Sequence, residues 1–293
     1  MSHANPANPD ERPVPLDSLF VIAEQHDVGE HQLRVLEPAS ADWLAVLAEE
    51  YRRLRTIASY RATALSFDGL DLAVDEVARI LRAATVPHYE PGNFGVVRSD
   101  LAEVILGLIG EQLYGSRYGY RSVTDRELVQ RPGRGIDQIG VEIDQAATRL
   151  TLVLGEAKVS TEQKSPPGVV DRGGDCLRAQ HLAHLHNRDV TADKVWAASR
   201  RCADPETQEL LRLAAELFRR HLDDKIRVVA SSLMVRPSTA RTPRDFGTFH
   251  TASADFRPAH IRFLLIRVPG DVDEVAMEFA RLARGEFPDG RVA

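Results

Sequence analysis

The sequence predicts an α/β fold in which helices flank a central mixed β-sheet. The chain has 293 residues, of which 43% are hydrophobic and 27% are charged, and this composition is typical of a globular protein of about two domains. Segments with helical apolar spacing alternate with short β-prone runs. From residue 96 onward the predicted elements follow the order α-β-β-β-α-α-β-β-α, and this alternation places the chain in the α/β class.

The first 95 residues are predicted to hold a flexible tail and an N-terminal α+β region. The tail, residues 1–17, contains four prolines and several polar residues. Ser40 is expected to cap the first helix of the region. The segment HYEPGNFG, residues 88–95, contains Pro and Gly and marks the end of the α+β region, residues 18–95. Strands are predicted over 19–23 and 32–36, and helices over 41–57 and 70–84.

Residues 96–293 are predicted to form the second, larger domain. Its first helix, residues 100–115, is expected to begin after Ser99 and to end at Gly115. The segment 237–258 has little periodicity, which indicates a functional or disordered loop. Strands are predicted over 127–130, 136–143, 150–159, 226–235 and 260–268, and the remaining helices over 175–187, 205–222 and 272–284.

Charge and composition narrow the classes of function. Acidic residues outnumber basic ones by 43 to 37, so the net charge of −6 argues against a broadly basic DNA-binding surface but allows a local basic groove. Two cysteines are too few for a zinc finger or a disulfide framework, and they suggest a reducing compartment. No apolar run is long enough for a membrane span, and the N-terminus lacks a secretory signal pattern. A cytoplasmic location is therefore expected.

The residues that carry chemistry lie in GRGIDQIGVEIDQAATRLTLVLGEAKVST, residues 133–161. Asp137 stands where a glycine-flanked turn enters a strand, and the next strand carries Glu156 and Lys158. Side chains two residues apart in a strand share a face, so these two point the same way while Ala157 points into packing. If Asp137 lies beside Glu156, the two carboxylates provide oxygen ligands for Mg²⁺. Such a site suits phosphodiester hydrolysis, with Lys158 holding or helping to deprotonate the attacking water.

This pattern resembles the PD-(D/E)XK nuclease superfamily. The segments that carry the resemblance are Gly135-Ile136-Asp137 and Gly155-Glu156-Ala157-Lys158, with Ile136 where the family has proline. It covers roughly residues 96–268. The resemblance implies a restriction-endonuclease-like core with Mg²⁺, or alternatively Mn²⁺, as cofactor. It also implies that Asp137 and Glu156 bind the metal, that Lys158 is catalytic, and that Glu103 on the preceding helix is an additional catalytic acid and ligand.

A narrower resemblance is to the HamA family, the nuclease subunits of the Hachiman antiphage defence system. It rests on an N-terminal region of about ninety residues, the GIDQIG and GEAK segments and the late strand HIRFLLIRVP. The resemblance implies DNA as the substrate and a helicase subunit of a bacterial defence complex as the partner. Two alternatives stay open, namely a non-catalytic subunit that binds DNA or a partner and a standalone restriction endonuclease.

The structural alternative for Asp137, Glu156 and Lys158 is a turn acid followed by an ion pair at a strand end. Lysine usage favours the catalytic interpretation, because only four of the 37 basic residues are Lys and one of them stands where a compact ammonium is needed. Glu103 is alternatively an acid favoured near a helix N-terminus. Glu111 is its possible substitute at the site.

Histidines and arginines around this segment give two further hypotheses. His181, His184 and His186 lack a second ligand pair, so solvent-exposed histidines are predicted rather than zinc ligands. Arginines before Asp137 and around the long loop form either a phosphate-binding groove or ordinary solvated charge. Contact with nucleic acid is predicted for Arg117, Arg121, Arg131, Arg134 and Arg244, with Arg236 and Arg262 in the same group around the loop.

Overall fold

The computed structural model describes residues 15–60, 86, 93–125, 135–144, 149–239 and 242–285. Strands within these ranges form one mixed sheet flanked by helices, which confirms the α/β class. The predicted helix 70–84, the predicted strand 127–130 and most of the tail lie outside the described residues. The strands are β1 (Phe20–Gln25), β2 (Gln32–Pro38), β3 (Arg117–Arg121), β4 (Gln138–Asp144), β5 (Arg149–Val159), β6 (Ile226–Pro237) and β7 (His260–Val268).

The sheet has the order β1-β2-β7-β6-β5-β4-β3. Strands β2, β7, β6 and β5 run parallel, β1 is antiparallel to β2, and β5, β4 and β3 form an antiparallel meander. The register pairs Gln138 on β4 with Gly155 on β5, and Glu156 with Ser232 on β6. The turn that carries Asp137 therefore lies beside the last third of β5.

Helices cover both faces of the sheet. Leu152 and Leu154 pack on the face that also receives the helices between β5 and β6, whereas Ala157 packs on the opposite face. Because side chains alternate along a strand, Glu156 points to the same face as Leu154. The helices are α1 (Leu16–Leu19), α2 (Trp43–Tyr60), α3 (Phe94–Tyr114), α4 (Ser122–Asp125), α5 (Gly168–Asp171), α6 (Leu177–His186), α7 (Arg188–Arg201), α8 (Pro205–Arg219), α9 (Thr248–Thr251) and α10 (Val272–Ala283).

The predicted start of α3 is wrong, and its predicted end is confirmed. The helix begins at Phe94, and Ser99 lies inside it rather than at its N-cap. Val96 and Val97 are buried, so packing extends the helix toward the N-terminus. At the other end Gly115 adopts φ +68° and its N–H donates to the carbonyl oxygen of Glu111 at 3.2 Å. This left-handed conformation favours glycine and ends the helix.

The sequence pattern does not predict β3 or α7. Strand β3 is short, contains Gly119 and has a bulge where it pairs with β4, so its alternation is weak. Helix α7 follows α6 directly and buries Ala192, Val195 and Ala198, a face too small to give a clear apolar period.

The N-terminal strands belong to the same sheet as the rest of the chain. β2 pairs in parallel with β7, and Leu36 and Trp43 share a buried cluster with Leu101 of α3. The division expected at residue 95 falls within the first turn of α3 and does not coincide with a break in the sheet. Among the helices of the described ranges, none has the combination of length and apolarity required to cross a membrane.

The described part of the loop 237–258 is ordered by aromatic packing. Phe246, Phe249 and Phe256 are fully buried, and the ring centroids of Phe249 and Phe256 are 4.6 Å apart. Short 3-10 turns at Arg244–Phe246 and Ser253–Phe256 flank α9. These three aromatic residues join the hydrophobic cluster on one face of the sheet, which the sequence pattern does not reveal because they follow no regular period.

Candidate active site

Asp137 and Glu156 form a carboxyl pair at the boundary between β4 and β5. Asp137 ends the turn before β4, and its Oδ2 accepts a hydrogen bond from the Ala157 N–H at 2.9 Å. This bond directs the Asp137 side chain across to β5, where it comes within hydrogen-bonding reach of the Glu156 carboxyl. Glu156 is fully buried. The structure thus brings together the two acids that the sequence predicts as a pair.

Burial raises the pKa of both carboxyls, and the charge of Glu156 adds to the shift of Asp137. Desolvation raises the pKa of Glu156 to about 8 although the charge of Lys158 and the contact with Asp137 lower it. Desolvation, followed by the charge of Glu156, raises the pKa of Asp137 well above its usual value. Two carboxylates this close avoid repulsion only when a proton or a cation lies between them. The pair is therefore suited to hold either.

Lys158 lies on the same face of β5 as Glu156, as the sequence predicts. It is half-buried, and its charge lowers the pKa of both Asp137 and Glu156. Its neighbour Ala157 is buried in the core on the other face of the sheet. The three predicted catalytic side chains of the two strands consequently meet at one place.

The prediction of exposed histidines is wrong for His181 and His184 and confirmed for His186. His181 and His184 are 1% and 9% exposed, because α6 packs them against the sheet. His184 Nε2 lies 2.8 Å from Glu156 Oε1, and His181 Nε2 lies 2.9 Å from Ser232 Oγ. The sequence gives no sign of this because helical spacing alone does not say which face meets the sheet.

Burial also determines the charge of the two histidines. Desolvation lowers the pKa of His181 to about 3 and the pKa of His184 to about 4, and the nearby lysine charges act in the same direction. Both imidazoles are therefore neutral at pH 7. A neutral His184 can donate its Nε2 proton to Glu156, which fixes that carboxyl from the side opposite Asp137.

Replacing His181 by glutamine is expected to change how stability depends on pH. The folded pKa of about 3 is below the usual 6.5, so the neutral histidine contributes stability that is complete above pH 6.5 and is lost as the pH falls through about 3. The free energy of unfolding of the variant relative to the wild type should rise by roughly 2 to 3 kcal/mol between pH 6.5 and 4.5. Urea unfolding at both pH values measures this change, with exposed His186→Gln as the control. An identical offset at both pH values would contradict it.

Glu103 is buried on α3, and its backbone contacts the residue that follows Asp137. Its backbone carbonyl accepts a hydrogen bond from Gln138 Nε2 at 2.6 Å, and Gln138 directly follows Asp137. Tyr120 lies near Glu103 and Asp137. Desolvation raises the pKa of Tyr120, and the charges of these two acids add to the shift. Tyr120 is a site neighbour that the sequence interpretation missed.

The predicted nucleic-acid-binding arginines occupy different surroundings. Arg117 is exposed and pairs with Glu206 at 2.7 Å, and Arg244 is exposed. Arg121 is 8% exposed, pairs with Glu111 and lies over the Tyr118 ring, so in this structure it is held by the protein itself. Arg131 and Arg134 lie outside the described residues.

Arg236 and Arg262 are structural rather than part of an open basic groove or solvated surface. Arg236 is 2% exposed and pairs with Asp245, and Arg262 is 7% exposed and donates to both carboxylate oxygens of Glu142, at 2.7 and 3.0 Å. The pairing with buried or half-buried carboxylates explains their burial, since an unpaired charge in the interior is costly. Both alternatives offered by the sequence are wrong for these two residues.

The donor set at the pair fits a hard divalent cation. Glu156 Oε2 is buried and accepts no hydrogen bond from a described N–H or O–H group. Within the described residues, no group of three or more His, Cys, Asp or Glu side chains is arranged to hold a metal ion. Mg²⁺ does not require such a group, because it keeps several waters and binds one or two carboxylates. Asp137 and Glu156 would provide those ligands.

No protein-family model and no curated protein matches the chain.

Proposed function

We propose that the protein is a Mg²⁺-dependent nuclease of the PD-(D/E)XK type that hydrolyses phosphodiester bonds of DNA. The observation that carries this proposal is the convergence of Asp137, Glu156 and Lys158 at the ends of two neighbouring strands. The chain order from α3 through the β3-β4-β5 meander and α6–α8 to the parallel strand β6 also supports it, because this is the α-β-β-β-α-β order expected of that superfamily.

Each residue of the site has a defined task in this proposal. Asp137, fixed by the Ala157 N–H, and Glu156, fixed by His184, would hold Mg²⁺ or Mn²⁺. When bound, the cation supplies Lewis-acid polarisation of a phosphate oxygen. Lys158 donates hydrogen bonds to the attacking water and to the phosphate, which orients the water and stabilises the charge that develops on the phosphate oxygens.

Charge supports a phosphodiester as the substrate. The whole chain has a net charge of −6, yet the charges of two lysines act on Glu156. Lys158 lies on β5 and Lys194 on α7, and the guanidinium of Arg201 lies 5.4 Å from the centre of the Tyr120 ring. Cationic groups near a site on an acidic protein attract an anionic backbone only at short range. On the resemblance to the HamA family alone, we further propose that this nuclease is the effector subunit of a bacterial antiphage complex in which a helicase subunit delivers the DNA.

A cleavage assay with Lys158→Met tests the proposal. The variant should cleave plasmid and single-stranded DNA about 100-fold more slowly than the wild type in Mg²⁺, because general acid–base and charge-stabilising groups contribute at least this much. EDTA should abolish cleavage by the wild type. The matched control is Lys164→Met, since Lys164 pairs with Glu162 at 2.7 Å outside the site.

The assay is run with the chain alone and together with any helicase encoded beside it. Equal cleavage rates of the wild type and Lys158→Met would contradict a catalytic role for Lys158. DNA binding without cleavage under every condition would favour a binding subunit with a nuclease-like fold, and activity that needs no helicase would favour a standalone endonuclease.

A further inference from the structure

Lys194 on α7 lies over the turn that leads to Asp137. Its Nζ is 3.6 Å from the position that a Cβ atom at Gly135 would occupy. The neighbouring residue Val195 is fully buried and belongs to the same hydrophobic cluster as Ile136. The ammonium thus lies against the glycine two residues before Asp137.

The charge of Lys194 acts on the site from the helix side. It lowers the pKa of Glu156 and also that of His184, whose Nε2 lies 2.8 Å from Glu156 Oε1. Lys158 acts on the same carboxyl from the strand side. An ammonium group on β5 and an ammonium group on α7 therefore both act on the Glu156 carboxyl.

In the part of the chain that the structure describes, no acidic side chain pairs with Lys194. Among the described residues it forms no ion pair within 4 Å, and its neighbour Asp193 is paired with Arg219. Of the four lysines in the chain, Lys164 and Lys225 each pair with an acid close in sequence, at 2.7 and 3.4 Å. Within the described ranges, the two lysines that form no ion pair are Lys158 and Lys194.

We infer that Lys194 is a second phosphate-contacting residue, which binds the DNA backbone from α7. This inference rests on the proposed function. A phosphodiester placed at the carboxyl pair is then contacted by an ammonium on β5 and by an ammonium on α7. Gly135 keeps this approach open, because any side chain there would contact Lys194 and would also be strained at φ +95°.

Kinetics of Lys194→Met and Lys194→Arg test the inference. Lys194→Met should reduce kcat/KM for DNA cleavage about 10- to 100-fold, as loss of one charged hydrogen-bond donor does. It should also reduce the slope of log affinity against log salt concentration by about 1 in DNA binding. Lys194→Arg should restore the salt slope and recover most of the activity. Lys225→Met is the matched control and should behave as the wild type.

The outcomes separate the inference from the proposed function. Lys194→Met with a wild-type salt slope and wild-type kcat/KM would overturn the inference while Lys158-dependent cleavage stands. If the wild type shows no DNA cleavage that depends on Lys158, the proposed function is overturned and the inference fails with it. Lys194 is half-exposed, so thermal unfolding of its two variants should match the wild type within about 2 °C. An activity loss in Lys194→Arg equal to that in Lys194→Met, with the salt slope unchanged in both, would also refute a phosphate contact.

Discussion

Replacing Glu156 by glutamine is expected to abolish DNA cleavage and, in the same protein, to raise stability at alkaline pH. The glutamine loses a carboxylate that would bind the metal, so activity should fall by about 1,000-fold or more. Its amide still fits between His184 and Asp137, and it can donate a hydrogen bond to the Asp137 carboxyl. The repulsion between two buried acids disappears as a result.

The direction of the pH effect follows from the shift at Glu156. The pKa in the folded chain, about 8, lies above the usual value of 4.5, so the protonated carboxyl contributes stability that is complete below pH 4.5 and is lost as the pH rises through 8. Glutamine does not ionise and keeps its stability over this range. The variant should gain about 4 kcal/mol relative to the wild type between pH 4.5 and 9, or roughly 8 to 15 °C in Tm.

Thermal unfolding without metal, at intervals from pH 5 to 9, measures this gain. Glu162→Gln is the matched control, because its side chain is partly exposed and Lys164 and the Gly168 N–H lower the pKa of the Glu162 carboxyl. That variant should lose stability slightly at neutral pH, the opposite sign. Mg²⁺ should raise the Tm of the wild type more at pH 8 than at pH 6, since the cation competes with the proton. A Glu156→Gln curve parallel to the wild type would refute a raised pKa.

The sheet positions the site, and much of the sheet is predictable from local patterns. The runs at 150–159 and 260–268 are apolar and bounded by turns, and the strands β5 and β7 match them closely. Strand β3 and helix α7 are not predictable in this way, because β3 depends on pairing with β4 and α7 on burying a small face. Strand β3 carries Tyr120 and helix α7 carries Lys194. Because the local pattern predicts neither element, it also misses these two residues of the site.

The acids were predictable because sequence spacing fixes them, whereas the groups around them are fixed by packing. Glu156 and Lys158 must share a face of a strand, and a preceding turn must present Asp137 to it. Nothing in the sequence states that α6 turns His184 toward Glu156, since burial of a helix face is decided by the sheet beneath it. Only four of the 37 basic residues are lysines, and this scarcity favours a special role for Lys194 as much as for Lys158. Lysine usage is therefore the sequence signal that indicates Lys194.

The largest loss of stability is expected for Arg236→Met. The Arg236 guanidinium pairs with Asp245 and also donates to the carbonyl oxygen of Glu162, so it joins β6 to two loops. Both members of the pair are buried, at 2% and 0% exposure. Methionine fills a similar length but removes the cation and leaves the Asp245 carboxylate in the interior. Breaking a buried pair in this way costs about 3 to 5 kcal/mol.

A second substitution distinguishes loss of the ion pair from loss of packing. Arg236→Met combined with Asp245→Asn should recover about half of the lost stability, because the buried charge is gone. Arg244→Met is the matched control: that side chain is exposed, so its free energy of unfolding should change by less than about 0.5 kcal/mol in urea unfolding. The two variants are expected to differ in what they change. Arg236→Met should loosen the loop that carries Phe249, whose ring centroid lies 6.1 Å from that of His181. Under the proposed function, Arg244→Met should leave the fold intact and weaken only DNA binding. Equal losses of unfolding free energy in Arg236→Met and Arg244→Met would contradict a stabilising role for the buried pair of Arg236 and Asp245.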